Sequence, residues 1–347
     1  MRILLFAAAV TCGLSTPGAA AQYTIRDLGL GCAYGINSDG VVVGRNGEGG
    51  VIWRPDGSVN PVLGPTGNPV YSCRDINDSG QIIGWASWGQ FRWSPTTGFT
   101  VLNSGIRVDA FSINNMGEVV GDGDAYIGGC VAQYWSANGE RITLSDHTCN
   151  SRALDINDAG LSAGWYVDGS GDMHACLWDR PPHPSTNTLR DLSGYFASHV
   201  SQASAINNSG RVVGQLQATD GDHGFVFDLP SSTYPSGRLT DLGLSYTTCD
   251  VNITGQVVGY RLDRQAGVHE LASVWDCGQA VDLCILPGFT DSCANRISDT
   301  GEIIGWATDG AGHDHAVVWT PVVPEPSSLL ALLCCLGGLA LWLRKPK

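Results

Sequence analysis

The chain is 347 residues long, with 46 glycines, only 15% charged residues and a formal net charge of −14. Charged residues usually make up about a quarter of a globular chain, so this composition speaks for many turns and against long solvent-exposed helices. Setting aside Arg2, Arg344, Lys345 and Lys347 leaves 15 basic against 33 acidic residues, a balance of −18. That balance excludes nucleic acid and anionic lipid as general partners and points to cations or to neutral or cationic polymers.

Residues 1–21 carry a basic Arg2, an apolar run and the small residues Ala19-Ala20-Ala21. This is the pattern of a secretory signal peptide cleaved between Ala21 and Gln22. A lipoprotein signal at Cys12 would need small residues just before it, and Val10-Thr11 do not supply them. An exported chain can form disulfides. Nine cysteines remain after the signal and before the tail, an odd number, and no C-x-x-C occurs among them. The spacing argues against a zinc ribbon or a thioredoxin-like motif and leaves the pairing open.

Residues 22–322 are built from one repeated phrase. It reads GINSDGVVVG, DINDSGQIIG, SINNMGEVVG, DINDAGLSAG, AINNSGRVVG, DVNITGQVVG and RISDTGEIIG, with its first phase-locked glycine at Gly40, Gly80, Gly117, Gly160, Gly210, Gly255 and Gly301. The steps between them are 40, 37, 43, 50, 45 and 46 residues, the length of a four-stranded propeller blade. In the phrase, a strand ends at Ile or Val and a turn follows. The glycine takes a left-handed conformation there, and a second strand begins. The second glycine of the phrase, such as Gly84, falls inside that strand, where a side chain would obstruct a bulge or a neighbouring backbone. Three residues before the Ile or Val stands a small side chain: Ala33, Cys73, Ala110, Ala153, Ala203, Thr248 and Ala294. A third strand ends at Trp53, Trp93, Trp135, Trp178, Phe227, Trp275 and Trp319, and a short fourth follows in the first six repeats. Helical periodicity is absent.

The seventh repeat has no fourth strand, whereas YTIRDLG at 23–29 precedes any phrase and looks like one. The expected fold is therefore all-β, a seven-bladed propeller closed by its N-terminal strand. The order INxxGxVVG, then H-A-apolar-apolar-W, then D-L resembles the HAF-type extracellular repeat of bacterial proteins, carried best by His174–Trp178 and His315–Trp319. His223-Gly224-Phe225 departs from it at the second position. The resemblance covers about residues 23–322 and implies no particular reaction.

Residues 323–347 hold Pro324-Glu325-Pro326, an apolar stretch over 329–343 and a basic end. They resemble the PEP-CTERM sorting signal of Gram-negative bacteria. The resemblance implies a transmembrane segment that anchors the exported chain transiently, an exosortase-type sorting protease as partner, and delivery to the cell surface or an exopolysaccharide matrix. An ordinary membrane anchor is the alternative, and in either case the basic end stays cytoplasmic.

Chemistry is sparse. The residues before each Ile or Val are Gly35, Asp75, Ser112, Asp155, Ala205, Asp250 and Arg296, and a propeller places them near its axis. Asp75, Asp155 and Asp250 could serve as an acid/base cluster there, or cap turns and pair with Arg296. His174, His223 and His315 share a phase but lie on three blades and cannot converge on one ion. His313 and His315 share a strand face and could hold a metal weakly. Asp-Gly turns such as DGSGD and DGAGHD offer oxygens to Ca2+, without the full pattern of a calcium loop; no other cofactor is expected. In WASWGQFRW (85–93), Trp93 belongs to the packing column, and Trp88, in the expected turn, is the exposed one suited to stacking on sugar. No nucleophile elbow, zincin, P-loop or dinucleotide motif occurs. The expected function is a surface or matrix protein that binds exopolysaccharide or cell-surface proteins without catalysis. The alternatives are a carbohydrate-active lyase or hydrolase using the axial aspartates, and a calcium-dependent adhesion module.

Overall fold

A computed structural model describes residues 23–322 apart from 103–106, 125–128, 146–149, 181–188, 197–199, 233–235 and 264–268. The cleavage site at Ala21 and Gln22, the Pro324-Glu325-Pro326 motif, the apolar stretch over 329–343 and Cys149 lie outside the described residues.

The chain forms seven four-stranded antiparallel sheets. Their inner strands are Cys32–Ile36, Ser72–Ile76, Val108–Ile113, Ser151–Ile156, Ser201–Ile206, Tyr246–Val251 and Phe289–Ile297. Each inner strand packs against the next, and the last packs against the first, so the sheets close a ring as the blades of a propeller. Blades 1 to 6 run outward in chain order. Blade 7 takes its outer strand, Tyr23–Leu30, from the other end of the chain, paired with Asp314–Pro321. Tyr23 and Ile25 are buried there, and burying a side chain such as Ile contributes about 1.5–3 kcal/mol. One short 3-10 turn, Ser193–Tyr195, is the only helical element among the described residues. Among them no helix is long and apolar enough to cross a membrane.

Two glycine positions explain why the phrase repeats. The turn glycines from Gly40 to Gly301 all have φ between +71° and +89°, a region closed to most side chains. In blade 2 the Gly80 N–H donates to the Asn77 carbonyl at 2.9 Å, and the Asn77 N–H to the Gln81 carbonyl at 3.0 Å. The second glycine faces a β-bulge, because every inner strand slips register at the same phase, as between Cys73 and Asp75. A Cβ on Gly84 would stand 2.3 Å from the Ser72 carbonyl oxygen, and one on Gly164 1.9 Å from that of Arg152. The small column from Ala33 to Ala294 is buried throughout. The third-strand aromatics fill the space between blades: Trp135, Trp178 and Trp319 are fully buried, and the Trp319 indole N–H donates to the Cys284 carbonyl at 2.7 Å.

Candidate functional site

The inner strands bring Asp75, Asp155, Asp250 and Arg296 together at the axis, around a polar cavity of about 170 Å³. The Arg296 guanidinium lies 3.9 Å from Asp75, 3.5 Å from Asp155 and 3.6 Å from Asp250. Every carboxylate oxygen of the trio has further work. Asp75 accepts from the N–H groups of Ile76 (2.9 Å) and of Ile113 on the next blade (3.0 Å). Asp155 accepts from the Ser112 hydroxyl (2.7 Å) and the Ile206 N–H (2.8 Å), so it reaches both neighbouring blades. Asp250 accepts from Val251 and from Ile297, each at 2.9 Å.

Burial pushes the Asp75 carboxyl up and that of Asp250 up to about 6, with Arg296 opposing in both cases. Burial works against the Arg296 charge, but Asp75, Asp250 and Asp155 outweigh it and hold the guanidinium above its ordinary range. The chemistry of the arrangement is that of a staple. Three carboxylates bind main-chain donors of successive blades, and one cation neutralises them from the centre.

Just outside this cluster lies a ring that the sequence reading missed. Asn37, Asn77, Asn114, Asn157, Asn207 and Asn252 each donate an amide N–H to the main-chain carbonyl of the equivalent residue in the next blade, at 3.4, 2.9, 3.0, 3.1, 2.8 and 3.3 Å. Their carbonyl oxygens cap the turn within their own blade, as Asn77 does for the Gln81 N–H at 2.9 Å. The next residue along forms a second row. Asp78, Asn115, Asp158, Asn208 and Asp299 accept main-chain N–H bonds from the preceding blade at 2.8–2.9 Å. The Ile-Asn-Asp/Asn string is therefore both a turn and the seam between blades. Its recurrence in the sequence was the available signal.

The histidines are spent on local contacts with carboxylates. His174 meets Asp168 (3.3 Å), and His223 meets Asp241 (2.9 Å) and Asp220 (3.1 Å). His315 meets Asp27 (3.0 Å) and Asp309 (3.6 Å), and His313 meets Asp309 (3.4 Å). Each tie joins a strand to a hairpin turn or to the outer strand of the same blade. Asp168 and Asp309 also cap their own turns, and those main-chain donors lead the lowering of both carboxyls. Among the described residues no group of three or more His, Cys, Asp or Glu side chains could hold a metal.

At the opposite end of the inner strands, blades 1 and 2 enclose a cavity of about 850 Å³ lined by Tyr34, Arg45, Tyr71, Arg74, Trp85 and Trp88 among others. The structure corrects the tryptophan assignment. Ala86 pairs directly with Gly89, so the turn is tight and Trp88 folds back on Phe91 and Phe99, with ring centroids 5.4 and 5.5 Å away. Trp85 is the exposed one, at 50%, beside Tyr71 at 49%. Their ring centroids are 4.6 Å apart and their planes 53° apart.

No family model matches the chain, and no curated protein sequence matches it. Solved structures do. The structure of puromycin hydrolase is similar over 84% of this chain and 52% of that one, with a TM-score of 0.53 and 13% identity. A mutant of puromycin hydrolase complexed with PGG is similar over 86% of this chain and 55% of that one, with a TM-score of 0.51 and 12% identity. The chain thus spans about half the length of these structures, and the likeness is one of fold.

Proposed function

We propose that the protein is a binding propeller of the cell surface or extracellular matrix, exported by its leader and delivered by its C-terminal tail, and that it engages polysaccharide without cleaving it. The observation that carries the reading is the open aromatic cavity between blades 1 and 2, where Tyr71 and Trp85 stand half-exposed side by side. Paired rings at an open site suit the flat apolar face of a sugar. The axial aspartates support it from the other side. Each of their oxygens accepts a bond from a main-chain donor or from Ser112, and all three face Arg296, an arrangement suited to holding blades together.

A second reading, a lyase or hydrolase, is favoured by one feature. Burial brings Asp250 up to about 6, a range suited to proton transfer. Light scattering decides between them. The full chain is mixed with matrix polysaccharide and polymer molar mass is followed over hours. A constant mass with co-eluting protein is expected. A falling mass that Asp250→Asn abolishes would establish the enzyme.

A further inference from the structure

We propose that the cavity between blades 1 and 2 binds an acidic sugar, a uronic-acid residue of a polysaccharide, with the pyranose ring on Trp85 and Tyr71 and its carboxylate on Arg45 and Arg74. The inference rests on the binding reading and narrows it to a ligand class.

The argument starts from charge. The body of the chain is strongly acidic, and Arg107, Arg152, Arg180, Arg190, Arg211, Arg261 and Arg296 each lie within 4 Å of a carboxylate. Arg45 and Arg74 are exposed in one cavity, and neither has a carboxylate at ion-pair distance among the described residues. Both act on Tyr34, on the bulge of blade 1, and Arg45 also bonds the Tyr34 and Cys32 side chains. Arg74 occupies the same bulge position in blade 2 and rests on the ring of Phe111, 5.2 Å from its centroid. The face of the guanidinium is thus supported, and its N–H fork is left to a ligand. A planar fork matches a carboxylate bidentately.

The aromatic pair adds the second half of the recognition. The exposed Trp85 ring offers an apolar face to the C–H face of a pyranose, and Tyr71, tilted 53° to it, flanks that face with a polar edge. Beyond Arg74 the groove continues into a cavity of about 340 Å³ that includes Gln90, Arg107, Asp109 and Arg152. There the Gln90 amide donates to Asp109 at 3.0 Å, and Arg107 and Arg152 are paired with Asp109 and Asp122. A neighbouring sugar finds hydroxyl partners in the paired polar side chains of this extension. The overall acidity of the protein opposes a densely charged polyanion such as nucleic acid. A polyuronate is opposed in the same way along its length, and only the residue seated at Arg45 and Arg74 meets a local exception in sign.

The test uses the full chain, tryptophan fluorescence and calorimetry. The probes are short oligogalacturonate and oligomannuronate, with a cello-oligosaccharide of equal length as the neutral control. At least one acidic probe is expected to bind with tryptophan quenching, to outcompete the neutral sugar and to weaken as salt rises. Trp85→Ala and Arg74→Gln should each lower affinity by about 10-fold or more, with unchanged melting temperature. If Trp85→Ala melts early, Arg74→Gln carries the test alone. Binding of neither acidic probe, or equal binding of neutral and acidic probes, would overturn the acidic-sugar assignment. Acidic binding that survives both substitutions would overturn the site and leave the binding reading standing. Shortening of the probes would overturn the binding reading itself.

Discussion

Removing the charge of Arg296 exposes what the axial cluster is for. The guanidinium lies within 3.9 Å of three carboxylates. At the effective dielectric of a protein site each such pair attracts by about 4 kcal/mol. Desolvation of four ions cancels most of that sum, and breaking a buried pair on one side typically costs about 3–5 kcal/mol. Arg296→Gln should therefore lower stability by about 3–5 kcal/mol near pH 8.

The pH dependence follows from the same contacts. Burial already pushes Asp75 up and Asp250 up to about 6, with Arg296 opposing. Without Arg296 both folded-state values rise further above the unfolded one. A carboxyl with a raised folded pKa contributes stability that is present at low pH and lost as pH rises through that value. The deficit of the variant should thus shrink by half or more between about pH 8 and pH 5. Arg296→Lys, which keeps a charge, should restore part of it at pH 8. Urea unfolding of the full chain, followed by tryptophan fluorescence at both pH values, reads this directly. Equal deficits at the two pH values, or a deficit below about 1 kcal/mol at pH 8, would refute the account of Arg296 as the neutralising centre.

Four further outcomes are expected. Gly164→Ala, whose Cβ would stand 1.9 Å from the Arg152 carbonyl oxygen, should cost at least about 3 kcal/mol, whereas Gly47→Ala, with nothing within 4 Å, should stay within about 0.5; thermal melts compare the two. Asn207→Ala removes the caps on Ser209 and Arg211 and the bond to the Asn252 carbonyl, a loss of about 2–3 kcal/mol. Ser298→Asn should add about 1 kcal/mol by supplying the amide that the ring lacks in blade 7, and a lower denaturation midpoint would count against the seam. In thiol titration of the native protein, the exposed Cys277 should react first, although Asp276 raises its pKa, while Cys73, buried and pushed up to about 12, should react only on unfolding. Rapid native labelling of Cys73 would contradict the packing of blade 2.

The ring was legible in the sequence because its parts recur at fixed phase. A count of phrases gave seven blades, and a missing fourth strand after Trp319 together with a spare one at residues 23–29 gave the closure. Gly84 and its equivalents were legible as well, since a residue without a side chain inside a strand implies a close backbone. The seam was not. Asn77 had a sufficient local role as a turn residue, and its second bond goes to Asn114 on another blade, a partner that no local pattern reveals. The axial aspartates were placed correctly near the centre, but their engagement with Ile113, Ile206 and Ile297 depends on blade stagger. Trp88 was misassigned because a turn residue is usually exposed, whereas here the tightness of the hairpin directs it onto Phe91 and Phe99. Arg45 and Arg74 lie 29 residues apart in the chain, and only the ring makes them neighbours of one tyrosine.

The variable residue of the phrase follows from the parity of the ring. Aspartate stands in blades 2, 4 and 6, and each reaches the main chain of the following odd blade, at Ile113, Ile206 and Ile297. Blades 1, 3 and 5 carry Gly35, Ser112 and Ala205 at the same position. In blade 1 a side chain is excluded: a Cβ on Gly35 would stand 2.8 Å from the Asp75 Cα. A ring of even number could alternate acid and small residue indefinitely. Seven blades cannot, and the position left over falls in blade 7, where the chain also closes with its N-terminal strand. Three converging carboxylates in a buried site demand a cation, and the odd position is where one can enter without displacing a staple. Arg296 fills it, long enough to reach Asp155 on the far side of the axis. On this argument the one basic residue in the phrase column is a consequence of closing an odd ring, and the ligand-binding chemistry is free to lie elsewhere, on the face that the seam does not use.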